Sequence, residues 1–288
     1  MSAITIELKD ITFSYPGHPT SVYDQLNFSF SEGKIGLIGD NGSGKTTLFH
    51  VMVGLLKPDS GSVLFNGTPM ETEKDFTTLR RQVGMLFQNA DDQLFSPTVL
   101  EDVAFGPLNL GYSVEEAKEL AHSTLERLGL SGYEDRITHR LSGGEKRTVA
   151  LATVLAMDPK ILLLDEPTND LDQVCRHRLL DILGNLKQSY LLISHDWDFL
   201  GKLTNDFYVL ENGKLSRSDG VALHRHEHAH TVGAQDHVHE EEVIEHHHHD
   251  HDDDHHHDHH HHDHDEDHHH GEHDHHHHDH DDDHHHHH

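Results

Sequence analysis

The chain has one cysteine, Cys175, in 288 residues. No internal disulfide can form, which excludes a disulfide-stapled secreted scaffold and points to a reducing compartment. No apolar run approaches the ~18 residues needed to span a bilayer; the segment VALATVLAM at 149–157 is among the longest. The start, MSAITIELKD, has neither the basic residues nor the apolar stretch of a secretory leader, so none is expected. Positive charge is scarce as well: 21 Lys and Arg stand against 52 Asp and Glu, a formal net charge of −31. That balance offers nucleic acid no broad electrostatic attraction, and no nucleic-acid partner is expected.

The charge is unevenly placed. Residues 223–288 hold 33 of the 39 histidines and 21 acidic residues, with Arg225 as the one Lys or Arg. Val232, Val238, Val243 and Ile244 are the last aliphatic side chains larger than Ala. So little apolar surface cannot offset the entropy of ordering, and a disordered tail is expected over 221–288. Mixed imidazole and carboxylate ligands suit Ni²⁺, Co²⁺, Zn²⁺ or Cu²⁺, whereas the absence of Cys and Met there serves Cu⁺ poorly. A purification tag accounts for the last five histidines but not for the interspersed run before them; a solubilising acidic tail is the other plain reading. The remaining ~220 residues can bury one substantial core.

Within that body, 39–47 (GDNGSGKTT) stands out. Lys34–Ile38 before it reads as a short buried strand, and Thr47–Gly54 after it carries apolar residues at helical spacing. Strand, glycine turn and helix start give the Gly39-x4-Gly44-Lys45-Thr46 pattern its phosphate-binding meaning; a glycine turn without ligand is the alternative. Backbone N–H groups at such a turn curl around an anion, aided by the positive end of the helix. Lys45 is placed for β- and γ-phosphates, and the Thr46 hydroxyl for Mg²⁺.

The other segments read as alternating strands and helices, hence a mostly parallel sheet. Residues 4–15 alternate as edge strands, and 26–37 as a strand, a Glu32-Gly33 turn and the strand feeding the loop. Tyr15 offers a face either for stacking on a purine or for packing. Residues 80–87 read as a strand delivering Gln88, and 89–111 as irregular. Residues 113–130 read as a helix capped by Ser113. Residues 141–157 read as a glycine turn opening a helix, 161–164 as a strand ending in Asp165-Glu166-Pro167, and 180–186 as helical. Residues 190–194 read as a strand ending at His195, and 207–217 as a hairpin around Asn212-Gly213. Taken singly, Asp165-Glu166 also reads as a solvated strand end, His195 as a structural histidine and LSGG as a capped turn.

Together these segments resemble the ATP-binding subunit of ABC transporters over essentially all of residues 1–217. GDNGSGKT resembles the Walker A loop, Gln88 the Q-loop glutamine, and LSGGE at 141–145 the signature. ILLLDEP at 161–167 resembles Walker B, Asn169–Asp172 the D-loop, and His195 the switch histidine. The resemblance implies an α/β P-loop NTPase cassette: a mostly parallel core, an antiparallel β edge and a helical subdomain at about 90–140, ending near residue 220. It implies ATP and Mg²⁺ as ligands, with Gly39, Asn41, Gly42, Ser43, Gly44, Lys45, Thr46 and Thr47 around the nucleotide and Tyr15 against adenine. It places Thr46, Gln88 and Asp165 on Mg²⁺, Glu166 on the attacking water, and His195 on the γ-phosphate. Ser142, Gly143 and Gly144 would complete the site of an opposite subunit, so cassettes pair as a homodimer or heterodimer.

The run NADDQLFSPTVLEDVAFGPLNLG further resembles energy-coupling-factor and cobalt/nickel uptake ATPases. The alternative is that it merely caps the helical insert. In that group the cassettes sit on the cytoplasmic face of the membrane, under a transmembrane coupling protein joined to a substrate-binding membrane protein. Glu145 in place of Gln, Thr148 in place of a basic residue, and Asn169-Asp170 in place of Ala-Gly depart from the pattern. The cassette ending near 220 points away from vitamin transporters with a folded extension. With the tail, the expectation is an ATPase energising Ni²⁺ or Co²⁺ uptake, with Zn²⁺ the nearest alternative. Two readings from other classes are a metal-storage or sensing protein and a non-transport ABC ATPase. The latter usually carries a long coiled-coil insertion or a second cassette, whereas Lys45 and Ser142 are only 97 positions apart.

Overall fold

The computed structural model describes residues 4–169 and 171–218. In chain order the described residues form strands β1 (Ile6–Phe13), β2 (Tyr23–Phe30) and β3 (Lys34–Ile38), then helix α1 (Lys45–Met52). Strands β4 (Ser60–Phe65) and β5 (Thr68–Pro69), helix α2 (Glu73–Arg80) and strand β6 (Val83–Leu86) follow. Helices α3 (Val99–Leu110), α4 (Val114–Arg127) and α5 (Gly143–Leu155) lead to β7 (Ile161–Asp165). The described chain ends with α6 (Gln173–Gly184), β8 (Ser189–Ile193), α7 (Trp197–Leu203), β9 (Asp206–Glu211) and β10 (Lys214–Ser218).

Two sheets form. One is antiparallel in the order β2-β1-β4-β5; the other runs β10-β9-β3-β8-β7-β6, with every pair from β9 to β6 parallel. The two-residue side-chain period of a strand decides where the core lies. Along β7, Ile161 and Leu163 point into one apolar cluster, Leu162 and Leu164 into the other. Both faces of this strand are covered, which is why its sequence is wholly apolar and does not alternate. Helix α1 lies in the cluster shared with the antiparallel sheet. Its Leu48, Phe49, Val51 and Met52 pack with Ile6 and Leu8 of β1 and with Leu37, Leu163 and Ile193 of the parallel sheet. A helix apolar on so much of its circumference must be enclosed, and this one begins at the end of the phosphate loop.

Several sequence expectations need correction. β1 is no edge strand: it pairs with β2 on one side and β4 on the other. The expected strand at 80–87 is only β6, because Arg80 closes α2, a helix the pattern concealed; its signal was the Thr72-x-x-Asp75 capping box. Residues 89–111 are not irregular throughout. Thr98 and Glu101 form another capping box and start α3, whose end at Gly111 is left-handed. α6 begins seven residues earlier than read, with Asp172 accepting from Cys175 N–H at 2.7 Å. α7 was not anticipated. The tail expected at 221–288 lies outside the described residues.

The DVAFGP part of the unusual run is pinned by specific contacts. Asp102, buried, accepts from the N–H groups of Phe95 and Ser96 at 3.1 and 2.9 Å and from the Thr138 hydroxyl at 3.0 Å. A Cβ on Gly106 would meet Met157 Cγ at 2.5 Å, so a larger residue there would require the methionine side chain to move. Thr98→Ala removes the α3 cap while leaving these contacts, and should lower stability by about 1 kcal/mol with little change in turnover. Chemical denaturation checks this; an unchanged midpoint would count against the cap's importance.

Candidate active site

The parallel strands β3, β8 and β7 are neighbours, and their C-terminal ends point the same way. In open α/β sheets ligands bind beyond those ends. The phosphate loop leaves β3, Asp165 closes β7, Glu166 follows it, and His195 comes just after β8. A cleft of about 970 Å³ opens there, its lining including Tyr15, residues 40–47, Gln88, Asp165, Glu166, His195 and Glu211–Gly213.

The loop's shape follows from its glycines. Gly44 precedes α1 with φ 105°, and a Cβ there would meet Val22 Cγ1 at 2.7 Å and the Tyr23 hydroxyl at 2.9 Å. Tyr23 Oη donates to the Gly44 carbonyl, an anchor that sequence reading missed. At Gly39 (φ 151°) a Cβ would stand 2.4 Å from the Leu210 carbonyl, so β3 turns into the loop directly against β9. No side chain caps α1, leaving its first N–H groups facing the cleft as anion donors. The Lys45 ammonium donates to the carbonyls of Gly39 and Asp40 at 2.6 and 2.8 Å. Burial pulls its pKa down, opposed by Glu166, Asp165 and Asp40. Tyr15 packs against its neighbours at the edge of the cleft. Its ring packs edge-on to Phe13 at 5.0 Å and its hydroxyl shares a 2.8 Å hydrogen bond with Thr47, yet it also lines the cleft.

Three buried groups lack the partners a folded protein normally supplies. Both Asp165 carboxylate oxygens, Ser43 Oγ and Glu166 Oε1 are buried without a hydrogen bond. Burial pushes the Asp165 carboxyl above the ordinary range, with Thr46, His50, Arg147 and Lys45 pulling the other way. Carboxylate lone pairs that no protein donor takes up, beside a threonine hydroxyl, fit a hard divalent cation with oxygen ligands.

Glu166 is buried at a left-handed φ of 46°, a conformation costing a non-glycine residue of order 1–3 kcal/mol and found mainly at functional sites. Its N–H donates to the Ile193 carbonyl at 3.0 Å, and one oxygen accepts from His195 N–H at 3.2 Å. The other oxygen lies 3.3 Å from His195 Nε2. Burial raises its pKa, with His195 the main opposing influence. The imidazole of His195 is mostly exposed and reaches over the cleft.

Arg147 is the principal residue that sequence reading passed over. Buried on α5, it donates to the Phe87 carbonyl at 2.6 Å and to the Glu166 carbonyl at 2.5 Å. It therefore ties the strand end before Gln88 to the strained peptide at Glu166. Its signal was a second cation after LSGGEK, but adjacent Lys146 and Arg147 face different ways: Lys146 pairs with Asp91 at 2.6 Å near the surface. Gln93 was missed too; it accepts from Phe87 N–H at 3.1 Å and donates to Ala150 O and Thr153 Oγ1 at 2.8 and 2.7 Å.

Residues 142–144 do not join the phosphate loop within one chain. Gly143 lines a separate cavity of about 350 Å³ with Asn89, Asp91, Lys146, Arg147 and Asn169, and Gln88 lines both. Ser142 caps α5, its hydroxyl accepting from Glu145 N–H at 3.3 Å. Among the described residues no three His, Cys, Asp or Glu side chains cluster as a metal site. Nor is any helix among them long and apolar enough to cross a membrane.

The comparisons with known proteins agree with this geometry. The ABC transporter family profile matches residues 23–169. A Nitratidesulfovibrio vulgaris protein carrying a provisional ABC transporter ATP-binding name is 52% identical over 81% of this chain and 86% of its own. The energy-coupling factor transporter ATP-binding protein EcfA of Methanothermobacter thermautotrophicus is 44% identical over 73% of this chain and 69% of its own. Among solved structures, cbiO1 of Clostridium perfringens, part of the ABC transporter complex cbiONQ, superposes with a TM-score of 0.65 at 32% identity. It covers 75% of this chain and 88% of that one. A dimeric cassette bound to ADP and Pi after hydrolysis superposes at 0.67 and 26% identity, over 75% and 100%. Fold, cleft and kinship converge: the chain belongs to the ABC transporter family, as an ATPase cassette whose hydrolysis of ATP is coupled to transport.

Proposed function

We propose that this chain is the ATPase subunit of an energy-coupling-factor type importer that takes up a transition metal ion, nickel or cobalt. The observation that carries the ATPase half is the convergence of the phosphate loop, Asp165-Glu166 and His195 at three adjacent strand ends around one cleft. Residues 39–47 wrap the triphosphate, Lys45 releases its two carbonyls to meet the β- and γ-phosphates, and Tyr15 stacks on the adenine. Thr46, Gln88 and Asp165 would hold Mg²⁺, which would neutralise phosphate charge. Glu166 orients a water for attack on the γ-phosphorus; the β–γ bridging P–O bond breaks and ADP leaves. His195 contacts the γ-phosphate and steadies Glu166. Residues 142–144 complete the site of a second cassette, so two copies, or this chain and a relative, close on ATP.

The membrane half rests on kinship and on one surface. The names EcfA and cbiO belong to relatives at 44% and 32% identity. Phe95, Phe105, Leu108, Tyr112 and Val114 are exposed large apolar side chains in or beside α3 and α4, with Phe95 and Phe105 stacked edge-on at 4.8 Å. Exposed aromatic and aliphatic side chains in and beside these two helices, in an otherwise acidic protein, suit a partner surface, here the transmembrane coupling protein. That contact would hold the chain peripherally at the cytoplasmic face.

The cargo reading rests on the 33 histidines of residues 223–288. Dense carboxylates there favour imidazolium, so metal binding should weaken steeply below neutral pH. Equilibrium dialysis of the full chain should show uptake of Ni²⁺ at about pH 7.5 and several-fold less at about pH 5.5; equal uptake would refute it. In the reconstituted complex, deleting 223–288 should spare uptake at ample metal and depress it at limiting metal. Loss of uptake at both would make the tail the function and the cassette its regulator. Competition among Ni²⁺, Co²⁺ and Zn²⁺ in the same assay decides the ion.

A further inference from the structure

Glu145 puts a negative charge in the first turn of α5, three positions after Ser142. If residues 142–144 complete the opposing nucleotide site, as proposed above, that charge lies within about one helical turn of an incoming triphosphate. A bare carboxylate there would repel the anion the helix end is meant to receive.

It is not bare. Oε2 accepts from Ser142 N–H at 2.8 Å, and Oε1 accepts from the Tyr133 hydroxyl at 2.7 Å and Arg136 Nη1 at 3.1 Å. The Arg136 guanidinium lies 3.6 Å over the Tyr133 ring, so stacking and ion pairing hold it in one place. The Tyr133 hydroxyl, then Ser142 and Arg136, keep the Glu145 carboxyl below the usual carboxylate range, so it is ionised wherever the protein works. Arg136 and Glu145 are both partly exposed, with side-chain accessibilities of 49% and 28%. Such a pair contributes little to stability. Its charge balance matters where an anion must approach.

We propose that Arg136 is the counter-charge that lets Glu145 cap α5 without repelling the nucleotide held by the opposing cassette. Arg136 is thus a positioning residue, acting through Glu145 rather than on ATP.

The test uses the full chain carrying Glu166→Gln, in which ATP-bound pairs are expected to accumulate, and measures the Mg·ATP concentration giving half-maximal dimer by sedimentation. Arg136→Ala should raise that concentration about 5- to 10-fold at low salt and under about 2-fold at high salt, since screening removes the repulsion. Glu145→Gln keeps the cap's acceptor and removes the charge, so it should stay within about 2-fold of the parent. In the double variant the penalty of Arg136→Ala should vanish, and Arg136→Lys should largely escape it. Melting temperatures of all variants should agree within about 3 °C, excluding misfolding. Arg136→Ala without effect, or with the same penalty when combined with Glu145→Gln, overturns the inference. A parent that fails to pair on Mg·ATP overturns the reading of 142–144 on which it rests, a distinct result.

Discussion

Glu166→Gln is expected to bind Mg·ATP with near-normal affinity while its kcat falls by at least about a hundredfold, the span of a lost general base. The side chain is isosteric, so the contact with His195 N–H at 3.2 Å and the left-handed turn persist. What goes is the carboxylate that draws a proton from water. Bound pairs of cassettes should accumulate, because opening follows hydrolysis. Burial has already raised the Glu166 pKa, so ionising it disfavours the folded state. That penalty is absent where both states are protonated and grows as pH rises from the ordinary carboxylate range through the raised folded-state value. Nucleotide-free Glu166→Gln should therefore melt above the parent near neutral pH, and the gap should close on acidification. Steady-state ATPase assays and melts across pH read both effects. Normal turnover would remove Glu166 from its role, and a melting gap that widens on acidification would contradict the burial argument.

Arg147→Met should be the most damaging substitution away from the phosphate loop. The methionine fills similar volume but abandons two buried carbonyls, those of Phe87 and Glu166, now bonded at 2.6 and 2.5 Å. Hydrogen bonds from a charged donor are worth about 1.5–3 kcal/mol each, so a loss of about 3 kcal/mol is expected. For a domain this size that is a fall of roughly 6–12 °C in Tm. Activity should drop further than stability alone explains, on two grounds. The strained Glu166 peptide loses one of the bonds holding it, and Asp165 loses a nearby cation that lowers its pKa. Arg147→Lys should recover only part, since an ammonium lacks the planar fork that spans both carbonyls. A Tm within about 2 °C of wild type would show that neither bond carries weight.

Much of the site was legible because its chemistry is local. Gly39 to Thr46 form a loop whose geometry a short stretch specifies, and Asp165, Glu166 and His195 sit at ends of strands recognisable by their apolar runs. Helices α2 and α3 escaped notice because few apolar residues mark α2 and apolar residues crowd α3, so neither shows a clean stripe. Their capping boxes at Thr72 and Thr98 were the readable sign. Tyr15 could not be assigned between packing and ligand from sequence; its contacts with Phe13 and Thr47 supply the packing, and it also lines the cleft.

By itself, the order of residues determined the phosphate loop, the acidic pair after a buried strand, the family and the split between an apolar body and a histidine-laden end. These are properties of near neighbours in the chain, where spacing and hydropathy suffice. Only the tertiary structure decided that β1 is interior, that Arg147 is buried between two carbonyls 60 and 19 residues away, and that Arg136 pairs with Glu145. Those depend on which way a side chain faces once distant segments pack. A guanidinium that ends in water and one that ends against a buried carbonyl are written with the same letter.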